Sequence, residues 1–86
     1  MPEISRFFGI IITMFYSDHQ PPHFHVRYGE YKAQVSIDPI SILRGDLSPR
    51  VFGLVVEWAL VHQDELREDW ILVQNQTPPN KIDPLE

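Results

Sequence analysis

The residue pattern changes at Ser48-Pro49, and this change limits the folds open to the chain. Before it, apolar residues alternate with polar ones or form short β-branched and aromatic runs, which is typical of strands. Ser48 is a good capping residue and Pro49 suits the first helical position. Beyond them one stripe recurs at helical spacing: Val51, Leu54, Val55, Trp58, His62, Leu66, Trp70 and Val73. We predict an α+β domain, with a small antiparallel sheet of three to four strands followed by a long or kinked C-terminal helical region.

The 86 residues are predicted to form a single domain, 1–86. Its strands are expected within 6–44, its helical region over 49–75 and an extended tail over 76–86. An unbroken helix over 49–75 would be about 40 Å long, whereas a compact chain of this length has a radius of gyration of about 12 Å. We therefore expect a break or kink near His62-Gln63-Asp64.

The sheet is predicted from a few short segments. Residues 7–16 are apolar on both sides and should form one central strand, in which Gly9 marks a bulge or a close contact. Residues 23–28 and 31–38 alternate, and a Gly29-Glu30 turn would place Tyr28 opposite Tyr31. Residues 40–44 would add a short edge strand. One face of the hairpin is then apolar, and the other carries His23, His25, Arg27, Lys32, Gln34 and Ser36.

Composition narrows the cellular setting and the partners. The chain has no cysteine, which excludes disulfides and fits a reducing cytoplasm. Its longest apolar run, 7–16, is too short to span a membrane and lacks the features of a signal peptide. The formal net charge is −5. Acidic and basic side chains are equal in number in residues 1–50, so the whole negative charge lies in residues 51–86. Since nucleic-acid affinity comes largely from phosphate neutralisation, any anion site should lie in the first half.

The segment from Asp18 to His25 holds three of the four histidines and two prolines, Pro21 and Pro22. His23 and His25 occupy alternate strand positions, so both rings should emerge on the polar side of the sheet, away from the packed interior. One interpretation is a zinc or nickel site with His19, His23 and His25 as ligands, and Asp18 as a fourth ligand or a hydrogen-bond acceptor behind them. The cations Arg27 and Lys32 on the same face argue against a metal.

A second interpretation is an anion or phosphodiester site. Arg27 and Lys32 would bind the anion, and a bound phosphate would relieve their mutual repulsion, as would Glu30 or an acidic partner. Histidine titrates near neutral pH, so His19, His23 and His25 could supply the acid and base of a metal-independent ribonuclease. The alternative is that this face is polar only because it contacts solvent and has no function. That is the better explanation for Arg27, Lys32, Gln34 and Ser36 taken singly, whereas the cluster of three histidines favours a function.

The helical region offers weaker candidates. His62 lies on the apolar stripe and is expected to be a hydrogen-bonded packing residue, and Trp58 and Trp70 are expected in the core. The acidic run Asp64, Glu65, Glu68 and Asp69 is predicted to be a solvated helix face. The functional alternative is that it binds a basic partner.

Four stretches carry a family resemblance: residues 1–10, the segment 18–25, Glu57-Trp58-Ala59 with His62, and the ending 81–85. Together they resemble the bacterial domain-of-unknown-function family 4160. The resemblance implies a short bacterial or archaeal protein, often encoded beside another small protein in suspected toxin–antitoxin pairs. No catalytic residues are established for that family, so it assigns none here.

Two functional hypotheses follow. The first is a toxin-like component of a two-gene module, acting on RNA or another phosphate-bearing target through His19, His23, His25, Arg27 and Lys32, without a cofactor. The second is a non-catalytic protein-interaction module, with zinc or nickel held by the three histidines as a variant. In both, the expected partner is the small protein encoded by a neighbouring gene and no membrane is involved. The sequence leaves open whether the chain forms a homodimer.

Overall fold

A five-stranded antiparallel sheet followed by two helices makes up the fold in the computed structural model, which describes residues 2–86. The strands follow one another across the sheet in chain order, each hydrogen-bonded to the next. In sequence the elements are β1 (Glu3–Phe7), β2 (Ile10–Thr13), β3 (His23–Tyr28), β4 (Tyr31–Ile37), β5 (Ile40–Gly45), α1 (Pro49–Val61) and α2 (Gln63–Gln74). The α+β class is confirmed, but the sheet has five strands where three to four were expected.

The additional strand arises because the expected single strand over 7–16 is wrong. The chain turns at Phe8-Gly9, where both residues have positive φ (50° and 80°), and pairs Phe7 with Ile10. Two consecutive positive φ values are the geometry that joins tightly paired strands without splaying them. Gly9 therefore marks a hairpin turn rather than a bulge within a strand.

The hairpin of β3 and β4 has the expected register. Tyr28 lies opposite Tyr31, and Arg27 lies opposite Lys32. Phe24 and Val26 are buried on the apolar side of the sheet. A shift of one residue would bring the two cations to that side, so burial of one face fixes the register.

The helical region breaks where it was expected to break. Ser48 Oγ accepts a hydrogen bond from the Val51 N–H at 3.2 Å, and Pro49 opens α1. His62 separates the helices with φ −111° and ψ 23°. The domain measures 33 × 25 × 22 Å, so a helix of about 40 Å would have extended beyond it, whereas the two shorter helices do not.

The core lies between the sheet and the helices, and Trp58 of α1 is at its centre. Its side chain is fully buried, and its ring centroid lies 5.4 Å from that of Phe7 and 5.9 Å from that of Phe24. The tail without regular structure, 77–86, also packs here. The Ile82 N–H donates to the Ile4 carbonyl at 2.8 Å, and Trp58 Nε1 donates to the Asp83 carbonyl at 2.8 Å.

Asp69 corrects the prediction that the acidic run is a solvated helix face. The other three acids of the run, Asp64, Glu65 and Glu68, are exposed, but Asp69 is 1% exposed. Its Oδ1 accepts a hydrogen bond from the Asn80 N–H at 2.9 Å, while its Oδ2 has no partner. The pKa of Asp69 is raised to about 6, mainly by burial; the hydrogen bond from Asn80 opposes this rise, and the negative charges of Glu68 and Glu65 contribute to it.

Within residues 2–86, neither helix has the length and apolar character needed to cross a lipid bilayer.

Candidate functional site

The face of the sheet turned away from the helices is concave and basic; we call it the outer face. It encloses a volume of about 520 Å³, within the range of small-molecule sites of about 300–1,000 Å³. Two rows of facing residues cross it from strand to strand. The first row runs Arg6, Ile11, Arg27 and Lys32, and the second runs Thr13, His25, Gln34 and Arg44.

Charge is concentrated on this outer face. Four cations, Arg6, Arg27, Lys32 and Arg44, line it against one acid, Glu3, which leaves a local charge of +3 on a chain whose net charge is −5. Arg6 is paired with Glu3, with Nη2 2.8 Å from Oε1. Among residues 2–86, no acidic side chain forms an ion pair with Arg27, Lys32 or Arg44. The three unneutralised cations make this face attractive to an anion.

Arg27 and Lys32 are brought together as the sequence analysis expected. They are directly opposite each other on β3 and β4, and both are exposed. Facing side chains on paired strands have Cβ atoms only about 5 Å apart, so the like charges repel unless an anion lies between them. Their role as anion-binding residues stays a prediction.

A second cluster lies at the end of this face, where one oxygen of Asp18 meets two histidines. The Asp18 Oδ2 lies 2.9 Å from His25 Nε2 and 2.9 Å from His23 Nε2. The three ligand-type atoms all lie within 4.8 Å of one another. Gln74 fixes the loop by donating to the Asp18 carbonyl at 2.9 Å, which ties the cluster to the end of α2.

His23 and His25 emerge side by side, with ring centroids 5.1 Å apart, but they differ in exposure. The expectation that both would point away from the packed interior is wrong for His23, which is 1% exposed and packs against Trp70 of α2 at 5.3 Å. His25 remains half-buried, with Phe15 edge-on to its ring at 4.2 Å. Of the two, His25 is the one that lines the outer face.

His19 is adjacent to the cluster but outside it. Its side chain is exposed, and its Nδ1 lies 3.3 Å from the other carboxylate oxygen, Asp18 Oδ1. Its backbone N–H also donates to that oxygen at 2.9 Å. The catalytic roles suggested for His19, His23 and His25 stay predictions, and the structure gives the three rings distinct environments.

The cluster favours an ionised carboxylate beside a neutral imidazole. Burial works against ionisation of Asp18, but hydrogen bonds from His25 and from the His19 N–H outweigh it, and the pKa of Asp18 is lowered. Burial lowers the pKa of His25 despite its hydrogen bond to Asp18. A carboxylate oxygen and an imidazole lone pair are also the donors that divalent transition metals bind.

Two contributors to the outer face were missed from the sequence. Arg6 was not assigned to the site because β1 was not separated from β2, and Arg44 because its facing partner on β4 was unknown. In the structure Arg6 is exposed between buried Ser5 and Phe7.

Comparison with known proteins gives a family but no activity. A search of curated proteins and a search of solved structures each found no significant match. A family profile described as a domain of unknown function (DUF4160) matches residues 9–71, which include the Asp18 cluster and all of the outer face except Glu3 and Arg6 on β1. The chain therefore belongs to the DUF4160 family.

Proposed function

We propose that this protein binds a phosphate-bearing polymer, RNA in the first instance, on the outer face of its sheet. The observation that carries the proposal is the concentration of four of the seven Lys and Arg residues on that one face. Three of them have no acidic partner within the described chain. Phosphate binding releases counterions and neutralises such cations, which is the main source of sequence-independent affinity for nucleic acids.

The shape of the face supports a strand of RNA over a compact anion. The cations Arg6, Arg27 and Lys32 lie along one row, and Arg44 lies on the neighbouring row. Paired strands are about 4.8 Å apart, so the charges extend over several strands of the sheet. Phe15 lies among them as an aromatic surface for a base.

The biological setting that we propose is a toxin-like component of a bacterial, cytoplasmic two-gene module. Sequestering or cleaving RNA would account for toxicity, and a small acidic neighbour protein covering the outer face would suppress it. An interaction module whose only ligand is that acidic protein uses the same cations. We propose RNA as the ligand because Arg27 and Lys32 face each other closely enough to share one phosphate.

Removing Lys32 and Arg44 together should weaken RNA binding without unfolding the protein. Both side chains are exposed, and two exposed charge contacts contribute about 1.4 kcal/mol together, or about tenfold in Kd. The measurement is fluorescence anisotropy of a labelled single-stranded RNA against Lys32→Ala/Arg44→Ala at several salt concentrations. Three phosphate contacts give a slope of log K against log salt of about −2, and one remaining contact gives about −0.7.

Arg50→Ala is the matched control, because Arg50 is exposed at the start of α1 and outside the outer face. It should leave both the affinity and the salt slope unchanged. Equal losses in Arg50→Ala and the double variant would mean that binding follows net charge alone, which contradicts a defined site. If RNA does not bind the parent chain but the acidic neighbour protein does, and Lys32→Ala/Arg44→Ala abolishes that complex, the interaction-module hypothesis replaces this one.

A further inference from the structure

The histidine tautomer at position 23 reveals a polar atom without a partner. His23 Nδ1 lies 2.7 Å from the Pro21 carbonyl oxygen, which accepts hydrogen bonds only, so Nδ1 carries the proton and donates it. In the neutral ring, Nε2 then holds a lone pair. The Nε2 atom lies 2.9 Å from Asp18 Oδ2, which is also a hydrogen-bond acceptor. Nε2 therefore forms no hydrogen bond.

Two acceptor atoms 2.9 Å apart repel each other unless a proton or a cation lies between them. The His23 side chain is 1% exposed, and its Nε2 is not aligned to donate a hydrogen bond to Asp18. A buried polar atom without a partner is costly. A cation coordinated by both atoms satisfies the lone pair and the carboxylate together.

From this geometry we infer that Asp18, His23 and His25 form a binding site for a divalent first-row transition metal, with Zn²⁺ as the probe ion. The three ligand atoms are Asp18 Oδ2, His23 Nε2 and His25 Nε2. The ion takes the place of the proton that His25 Nε2 donates to Asp18, and the neutral His25 ring then carries its proton on Nδ1. Two imidazoles and one carboxylate, with one coordination position left for water, form a recurrent zinc and non-haem iron ligand set. The inference does not rest on the proposed RNA binding.

The two contacts of Asp18 with the histidines need little change to accept the ion, and all three ligand atoms lie within 4.8 Å of one another. Zinc bonds of about 2.0–2.1 Å in a tetrahedral site place neighbouring donor atoms about 3.3 Å apart. The two Asp18 contacts are 2.9 Å, so each would open by only a few tenths of an ångström. The Asp18 and His25 side chains are 20% and 24% exposed, which leaves a path for the ion and for a water ligand.

The surroundings hold the donors in place in the way metal sites require. The Pro21 carbonyl fixes the His23 tautomer, Trp70 packs on that ring, and Phe15 packs on His25. Such outer contacts typically change metal affinity by about 10–100-fold when removed. The cations Arg27 and Lys32, which counted against a metal in the sequence, form no ion pair with Asp18 among residues 2–86.

The test is metal binding by the full chain without an affinity tag, stripped with a chelator and then dialysed against Zn²⁺. We expect one ion per chain by elemental analysis, a higher Tm with the ion bound, and visible absorption of a low-coordinate complex when Co²⁺ replaces Zn²⁺. Asp18→Asn and His25→Ala should each weaken binding by more than about 100-fold, since even outer contacts reach that value. Circular dichroism confirms that each variant is folded, and the near-isosteric Asp18→Asn keeps the test valid if His25→Ala unfolds.

His62→Ala is the matched control, because His62 forms a histidine–carboxylate pair with Glu65 at 2.5 Å, away from the cluster. It should keep one ion per chain. Well under one ion per chain in the parent at excess Zn²⁺ would overturn the inference, as would an Asp18→Asn variant that binds as tightly as the parent. Loss of binding in His19→Ala equal to that in His25→Ala would overturn the three-residue ligand set.

Discussion

Replacing Trp58 with alanine should bring the protein close to unfolding. The side chain is fully buried between Phe7 and Phe24, and its Nε1 holds the tail through the Asp83 carbonyl. Truncating a buried aromatic residue costs about 3–5 kcal/mol, whereas a domain of this size is stable by about 4–13 kcal/mol in total. Urea unfolding should show the loss directly, and the Tm should fall by about 12 °C or more.

Two further variants separate packing from the hydrogen bond. Trp58→Phe keeps a ring in the core but loses the Nε1 donor, so its free energy of unfolding should fall by about 1–2 kcal/mol. Leu60→Ala on the same helix is the control, because Leu60 is 62% exposed and such surface changes stay within about 0.5 kcal/mol. A loss below about 1 kcal/mol in Trp58→Ala would show that the aromatic cluster does not hold the sheet to the helices.

The parts of the fold that followed from the sequence are those in which burial leaves a regular pattern. Phe24 and Val26 alternate with polar neighbours in β3, so period and turn together fixed the hairpin register. The break at His62 followed from length alone, because an unbroken helix does not fit a domain of this size.

The first hairpin was not predictable in the same way. Residues 7–16 are apolar almost throughout, so the pattern does not show where one strand ends and the next begins. The turn at Phe8-Gly9 lacks the Asn or Asp that usually marks two consecutive positive φ values. Arg6 was missing from the predicted site for this reason. Arg44 was missing because its place on the outer face depends on its pairing with Gln34 of β4, next to a shift in register that the sequence does not show.

The proximity of the histidines could be predicted from the sequence, but their environments could not. The spacing of His23 and His25 correctly placed the two rings side by side. The burial of His23 depends on Trp70 of α2, which is far from His23 in the sequence and is brought to it only by the tertiary fold. That burial distinguishes the environment of His23 from those of the more exposed His25 and His19.

Asp69 should make the protein less stable as the pH rises from about 4 to about 6. Burial raises its pKa from 3.8 to about 6, so over this interval the folded state binds more protons than the unfolded state, and the free energy of unfolding falls. The difference of about two pKa units corresponds to about 3 kcal/mol. Asp69→Asn removes the charge and keeps an oxygen for the Asn80 N–H, so it should be more stable than the parent at pH 7 by up to about 3 kcal/mol.

The measurement is the difference in unfolding free energy between the parent and Asp69→Asn, taken across this pH range. Taking the difference is necessary because Asp18 has a lowered pKa and contributes the opposite trend to both proteins. The advantage of the variant should shrink toward zero as the pH falls below about 4, where Asp69 is protonated in both states. Glu68→Gln is the control: Glu68 is exposed, so its removal should shift the profile only slightly. A difference that does not change with pH would mean that the Asp69 carboxylate is solvated, and would contradict the buried contact between α2 and the tail.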